Sequence, residues 1–359
     1  MRILYIACIQ NDKYAGVNVS IIQRLKFFSL YNEVFFLNLS LLTIDDITCQ
    51  VFLDEKQKAP FVSLLDKVNP DIVVFNEVYR PQYLKIYPIL VKKKIKYIII
   101  PHGELSKVCQ RKKFIKKKIA NLFLFSNFIR KASCVQFLSE REKQQSIFNK
   151  QSFVSPNGII ECASKKIDFK RSKRLIYVGR LEVKIKGLDL LIRAVNHISV
   201  ELRHANYKIL IYGPDYKNRR KKLCALIKKF AVDDLIIVND KITGCAKIEE
   251  LISSDFFVQT SRTEGLPMGI IEALNVGLPC LITEGTSLSD EINLFSAGLT
   301  SKNSYKAIAN MLLKSLNMSD EELVMMSQNA VRLSQERFNW NNICVYETEV
   351  YKKILGEGR

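Results

Sequence analysis

Short, continuously apolar runs recur along this chain, each followed by an amphipathic stretch, and this alternation restricts the fold more than any other feature. Ile3–Cys8, Val34–Leu39, Ile72–Asn76 and Tyr97–Ile100 contain too few polar positions to leave one face in water. Such runs read as strands buried on both faces, the condition of a parallel sheet covered by helices. Ser20–Leu30 supplies an amphipathic helix after the first strand, and Val135–Leu138 and Ser152–Ser155 add two further strands.

The alternation then stops and restarts. Pro156-Asn157-Gly158 is a turn signal, and the polar, basic segment Ser164–Lys173 reads as a linker. Strands follow at Arg174–Val178, Tyr207–Tyr212, Leu235–Val238, Asp255–Thr260 and Pro279–Thr283. Helices are expected at Leu188–Ile198, Lys221–Phe230, Ile248–Ser253 and Ile270–Val276. Two βα series predict an α/β protein of two doubly wound, Rossmann-like domains. The expected division is 1–165, 166–335 and a helical tail at 336–359, within a region helical from Ser319 to Leu355 and interrupted near Phe338-Asn339-Trp340. The tail could cap its own domain or cross back to the first.

A chain of 359 residues with 48% hydrophobic and 25% charged residues can build two cores. No apolar run reaches the length of a membrane span, and the N-terminal run turns polar too soon for a secretory signal. Nine scattered cysteines without a CxxC pair, and only three histidines, argue against a disulfide framework or a structural zinc site and for a reducing cytoplasm. The formal net charge is +19, and thirteen Lys or Arg but a single acid, Glu104, lie between Lys92 and Lys131. That region can attract a polyanion or simply be a solvated surface.

Two acids eight residues apart, Glu264 and Glu272, flank the loop Gly265-Leu266-Pro267-Met268-Gly269 and the start of a helix whose apolar face includes Ile270 and Ile271. A helix N-terminus presents unsatisfied N–H groups and welcomes a phosphate. Glu264 precedes this cradle, and Glu272 is expected about two turns inside the helix, so the pair can reach different parts of one extended ligand. Upstream, Val178-Gly179-Arg180-Leu181 ends a strand and Lys186-Gly187-Leu188 opens a helix. Arg180 and Lys186 would form a cationic mouth at the carboxyl end of the sheet, suited to a diphosphate; Lys184 is a near alternative to Lys186. His102, in Pro101-His102-Gly103, stands at the end of an apolar strand in the first domain.

Together these segments resemble the retaining glycosyltransferases of family 4, whose E-x(7)-E signature and GR…KG arrangement match Glu264–Glu272 and Arg180…Lys186-Gly187 in order and approximate spacing. The turn Tyr212-Gly213-Pro214, the pair Thr243-Gly244 and Ala15-Gly16-Val17 fit the family's order as well, and the resemblance runs from about residue 1 to 350. It implies GT-B architecture, with the two domains facing a central cleft. It also implies that Arg180 and Lys186 hold the donor diphosphate, Glu264 the sugar and Glu272 the ribose. Gly16, Gly213, Thr243, Pro267, Met268, Gly269 and Ile270 would line the donor site, and His102 would contact the donor sugar.

The implied activity is transfer, with retention and without an obligatory metal or other cofactor, of a hexose from a nucleotide sugar such as a UDP-sugar. The acceptor would be a glycan on polyprenyl diphosphate, in the assembly of a surface polysaccharide such as O-antigen or capsule. Arg111–Phe125 reads as an imperfect amphipathic helix, and with the Lys92–Lys131 region it would rest the enzyme on the anionic inner face of the cytoplasmic membrane. Two other readings compete. A sugar-nucleotide epimerase on a similar scaffold would need clustered acid/base side chains. A nucleic-acid-binding protein would need aromatics interleaved for stacking, whereas the phenylalanines here follow helical core spacing.

Overall fold

The computed structural model describes residues 1–9, 16–40, 42–44, 47–54, 56–107, 110, 124–166, 171–215 and 218–356. The expected basic helix Arg111–Phe125 lies almost wholly outside them. The chain divides into two compact units, Met1–Gly158 with Trp340–Arg359, and Ile159–Asn339.

The first unit is built on a seven-stranded sheet: β1 (Arg2–Ala7), β2 (Glu33–Asn38), β3 (Gln50–Val51), β4 (Ile72–Asn76), β5 (Lys96–Ile100), β6 (Cys134–Phe137) and β7 (Ser152–Val154). Their spatial order is β3-β2-β1-β4-β5-β6-β7, with every pair parallel. Around it lie α1 (Gly16–Phe28), α2 (Pro60–Val68), α3 (Tyr83–Lys92), α4 (Ser126–Lys131) and α5 (Glu140–Gln144). All five residues of β4 are buried, as their unbroken apolarity requires of a strand covered on both faces. Phe75, Tyr83, Tyr97 and Phe128 make edge-to-face and stacked contacts beneath it.

The second unit carries β8 (Arg174–Val178), β9 (Lys208–Tyr212), β10 (Ile236–Asn239), β11 (Phe256–Gln259), β12 (Cys280–Thr283) and β13 (Gly298–Ser301). The order is β10-β9-β8-β11-β12-β13, again all parallel. Its helices are α6 (Leu188–His197), α7 (Ser199–His204), α8 (Arg219–Lys229), α9 (Gly244–Ile252), α10 (Met268–Asn275), α11 (Ser289–Phe295), α12 (Tyr305–Leu316) and α13 (Asp320–Phe338). A capping box between Ser319 and Glu322 starts α13. The last helix, α14 (Trp340–Leu355), belongs to the first unit.

In each sheet the strand order reverses once, between β1 and β4 and between β8 and β11. Loops that leave adjacent strands in opposite directions open a crevice at such a switch point, and ligands of open α/β sheets bind there.

Of the segment expected as a linker, Ser164–Lys173, the described residues are instead anchored within the second unit. Lys165 Nζ donates to the Asn275 carbonyl at 2.7 Å, and Lys166 Nζ donates to the Ile252 and Ser254 carbonyls. The lysines that suggested a solvated linker cap helix ends instead.

Candidate active site

In the second unit the switch point lies between the carboxyl ends of β8 and β11. The backbone there is crowded. Gly179 N–H donates to the Tyr212 carbonyl at 3.0 Å, and a Cβ on Gly213 would stand 2.1 Å from the Gly179 carbonyl oxygen. Only glycine allows the β8 and β9 exits to approach so closely. Tyr177 Oη donates to the Arg180 carbonyl at 2.9 Å, which fixes the backbone of Arg180. The Arg180 side chain is exposed and meets no carboxylate among the described residues.

The loop after β8 is tied to the loop after β11. Gly187 has φ +65°, and a Cβ there would lie 1.8 Å from the Thr260 carbonyl oxygen. Thr260 Oγ1 donates to the Gly187 carbonyl at 2.9 Å, and Arg262 N–H to that of Ile185 at 2.9 Å. This splice brings Lys186 Nζ to 2.6 Å from Glu264 Oε1. Ser261 Oγ and Gln259 Nε2 donate to the same oxygen at 2.6 Å and 3.0 Å. Lys184 turns the other way, toward Asp189 at 3.0 Å, so Lys186 is the one of the two lysines that meets Glu264. Burial would raise the Asp189 pKa, but hydrogen bonds from Arg262 and Lys184 hold it below the ordinary carboxylate value.

Glu272 is the fifth residue of α10, about one turn in rather than the two turns expected, and its Oε1 takes a 2.6 Å ion pair from Lys247 on α9. Pro267 caps α10 in an extended conformation without a side-chain bond. Ile270 N–H folds back to the Pro267 carbonyl at 3.0 Å, while the Met268 and Gly269 N–H groups meet no acceptor among the described residues and form the open part of the cradle. The Ile270 side chain is core. With its N–H also engaged, Ile270 has nothing to offer a ligand. Gly269 lies close over the Val178 carbonyl, which a Cβ would approach to 3.1 Å. Thr243 caps α9 without using its hydroxyl, so that side chain stays open.

The first unit has its own polar cluster at the carboxyl ends of β4 and β5. His102 sits in the left-handed region, φ 48°, with Nε2 3.1 Å from Asn76 Oδ1. Burial, and then the charge of Arg24, push its pKa down to about 3. Glu142 accepts from the Gly103 and Leu138 N–H groups, and Glu104 Oε2 accepts from Val78 N–H at 2.6 Å, so the His102 loop is held from both sides. Gly16 opens α1, and the loop before it, from residue 10 to 15, lies outside the described residues.

Arg180, Lys186, Glu264, Gly269 and Glu272 thus lie on elements that meet at one switch point. Gln259, Ser261 and Lys247, which orient the two acids, were not anticipated from sequence. Their signal is faint: a polar strand end and one lysine among many.

Residues 161–332 match the model of the family glycosyl transferases group 1. Protein CapJ of Staphylococcus aureus is 24% identical over 175 residues, which cover 48% of this chain and 44% of that protein. A putative colanic acid biosynthesis glycosyltransferase, WcaL of Escherichia coli K12, is 26% identical over 176 residues, 46% of this chain and 41% of WcaL. The matched stretch therefore spans less than half the length of these relatives. Among solved structures, Anabaena HepE in complex with UDP and glucose superimposes with a TM-score of 0.72 at 14% identity, covering 98% of this chain and 100% of HepE. That likeness, with the two parallel sheets, makes the fold GT-B.

Proposed function

We propose, from the match of residues 161–332 to the glycosyl transferases group 1, that the protein is a retaining hexosyltransferase. It moves a hexose from a UDP-sugar to a glycan carried on polyprenyl diphosphate, in surface polysaccharide assembly, without an obligatory metal. The observation that carries this reading is the convergence of Lys186 on Glu264 at the β8–β11 switch point, beside the exposed Arg180, which is unpaired among the described residues. WcaL, named for colanic acid biosynthesis, and HepE, solved with UDP and glucose, support the substrate classes.

The difficulty in such a transfer is the negative charge that grows on the departing diphosphate. Arg180 can grip two of its oxygens, Lys186 adds a point charge, and the Met268 and Gly269 N–H groups add fixed dipoles. These groups stand ready before the reaction and need no reorganisation, which is why such electrostatics lower a barrier efficiently. Three donors occupy Glu264 Oε1, so Oε2 is the atom turned to a sugar hydroxyl. Glu272, steadied by Lys247, takes the ribose. The bond from the anomeric carbon to the diphosphate breaks on the face where the acceptor oxygen bonds, and the acceptor proton leaves with the diphosphate. Glu264 is no nucleophile in this scheme.

No helix among the described residues is long and apolar enough to cross a membrane. The Lys92–Lys131 region is the proposed contact with an anionic membrane at the cytoplasmic face, and flotation with anionic vesicles at low salt tests it.

The deciding experiment incubates the protein with UDP-, GDP- and ADP-sugars and an acceptor on a polyprenyl diphosphate analogue, then reads the product's anomeric configuration by NMR. A product with the donor's anomeric configuration is expected. An inverted product would overturn the retaining mechanism, and neither transfer nor nucleotide binding with any donor would overturn the whole reading.

A further inference from the structure

Asn76 ends β4 and is fully buried, yet its Nδ2 has no hydrogen-bond partner among the described residues. A buried amide N–H without an acceptor is costly and uncommon. The same side chain holds His102: Oδ1, which can only accept, faces Nε2 at 3.1 Å. A neutral imidazole carries one N–H, so a bond to an acceptor at Nε2 leaves Nδ1 with a lone pair. The ring has little freedom to do otherwise. His102 is locked in the left-handed region, and the next residue, Gly103, donates its N–H to the buried Glu142. The Tyr83 hydroxyl donates to the Asn76 carbonyl at 2.5 Å, fixing the backbone from which the amide projects.

We propose that Asn76 is a positioning residue that selects the Nε2–H tautomer of His102, and that Nδ1 of His102 and Nδ2 of Asn76 supply one acceptor and one donor to carbohydrate hydroxyls. A hydroxyl both donates and accepts, so one unpaired acceptor beside one unpaired donor suits it. A phosphate, which only accepts, would leave Nδ1 unused. The substrate class rests on the transferase reading; the tautomer does not. The charged groups around the ring are Arg24 on α1, whose charge acts on it, Glu104 in the same loop and Glu142 on α5.

Long-range proton–nitrogen NMR on the full, uniformly ¹⁵N-labelled chain tests the tautomer directly. Only three histidines are present, and His102→Gln identifies the signal. At pH 7 the wild type should show a protonated Nε2 and a bare Nδ1. Averaged nitrogens, or a protonated Nδ1, would overturn the assignment. In Asn76→Ala the two nitrogens should average. Asn76→Asp, nearly isosteric, should place a carboxylate against Nε2 and convert the ring to imidazolium; an unchanged spectrum in the folded variant would refute the role of Asn76.

Transfer kinetics test the substrate class. Asn76→Ala and His102→Ala should each lower kcat/KM by about tenfold or more, the worth of a lost hydrogen bond in a closed site. The double variant should lose little beyond either single one, because both act on the same hydroxyls. Fully multiplicative losses would overturn the pairing. A wild type that shows the Nε2–H tautomer but turns over no nucleotide sugar would overturn the carbohydrate class and the transferase reading while supporting the tautomer.

Discussion

The Lys186 ammonium and the Glu264 carboxylate meet at 2.6 Å although seventy-eight residues separate them. Both side chains are mostly buried, so this is neither a screened surface pair nor one easily replaced by water. Glu264→Gln and Lys186→Met should each lower kcat by about a hundredfold or more, the scale on which single preorganised groups act in closed sites. A double-mutant cycle should show strong coupling, since each variant also strands the other's charge. Independent losses would mean that the two residues act on separate parts of the substrate.

Arg180 poses the opposite case. It is exposed and unpaired among the described residues, so no ion pair among them depends on its charge. Arg180→Ala should leave the melting temperature within about 1 °C while weakening UDP binding about ten- to a hundredfold, the loss of a bidentate charge-assisted contact. Calorimetric titration with UDP checks this. An unchanged affinity would remove Arg180 from the diphosphate site.

The two βα series were legible because continuous apolar runs can only be strands buried on both faces. The expected helix break at Phe338-Asn339-Trp340 coincides with the gap between α13 and α14. β3 and β13 escaped notice: the first is two residues long and the second, Gly298–Ser301, has no apolar run. In the candidate site, residue type and order pointed to Glu264, Lys186 and Arg180, whereas Gln259 and Ser261 did not stand out. Their role depends on the splice of the 185–187 loop to the 260–262 loop, a tertiary contact that no local pattern carries.

Gly187→Ala tests that splice. The new methyl would lie 1.8 Å from the Thr260 carbonyl oxygen at φ +65°, so the loop must move. A loss of about 1–3 kcal/mol is expected for such strain, with a larger proportional loss of activity as Lys186 leaves Glu264. Denaturant unfolding and initial rates measure both. A variant with full activity would show that the 185–187 loop tolerates displacement.

Acid should act on the first unit through His102. Its native pKa, about 3, lies below that of an unfolded imidazole, about 6.5. As pH falls the unfolded chain takes up the proton first. The stability contributed by the neutral ring is therefore complete above about pH 6.5 and is lost progressively toward pH 3. Glu142 runs the other way: burial raises its pKa to about 6 despite the Leu138 and Gly103 N–H groups. Its contribution is present at low pH and lost as pH rises through 6. His102→Gln should flatten the loss of stability between pH 6.5 and 4 relative to the wild type in parallel denaturant titrations. Identical pH profiles would show that the ring is already free to protonate in the folded state.

The firmest test of how α14 is held concerns Arg24 and Glu347, an ion pair with side chains 1% and 0% exposed. Burial works against the Arg24 charge, and the Glu347 carboxylate overcomes it, raising its pKa overall. Glu347 also accepts from Gln136 Nε2 at 2.7 Å and Tyr351 Oη at 3.3 Å, and Arg24 reaches Asn157 Oδ1 at 3.3 Å. The network therefore joins α1, β6 and α14 to the residues just before Gly158. Removing one partner leaves a buried charge alone, so Arg24→Ala or Glu347→Ala should cost about 3–5 kcal/mol. Removing both charges does not: Arg24→Met with Glu347→Leu should return to within about 1 kcal/mol of the wild type or exceed it. Without Glu347 the single Tyr351 hydroxyl proton would go to Gln136 Oε1, 3.0 Å away, and Gln136 Nε2 would keep the Ser155 carbonyl at 3.5 Å. If the double variant were as unstable as either single one, the charges themselves, rather than the space they fill, would be holding the helix.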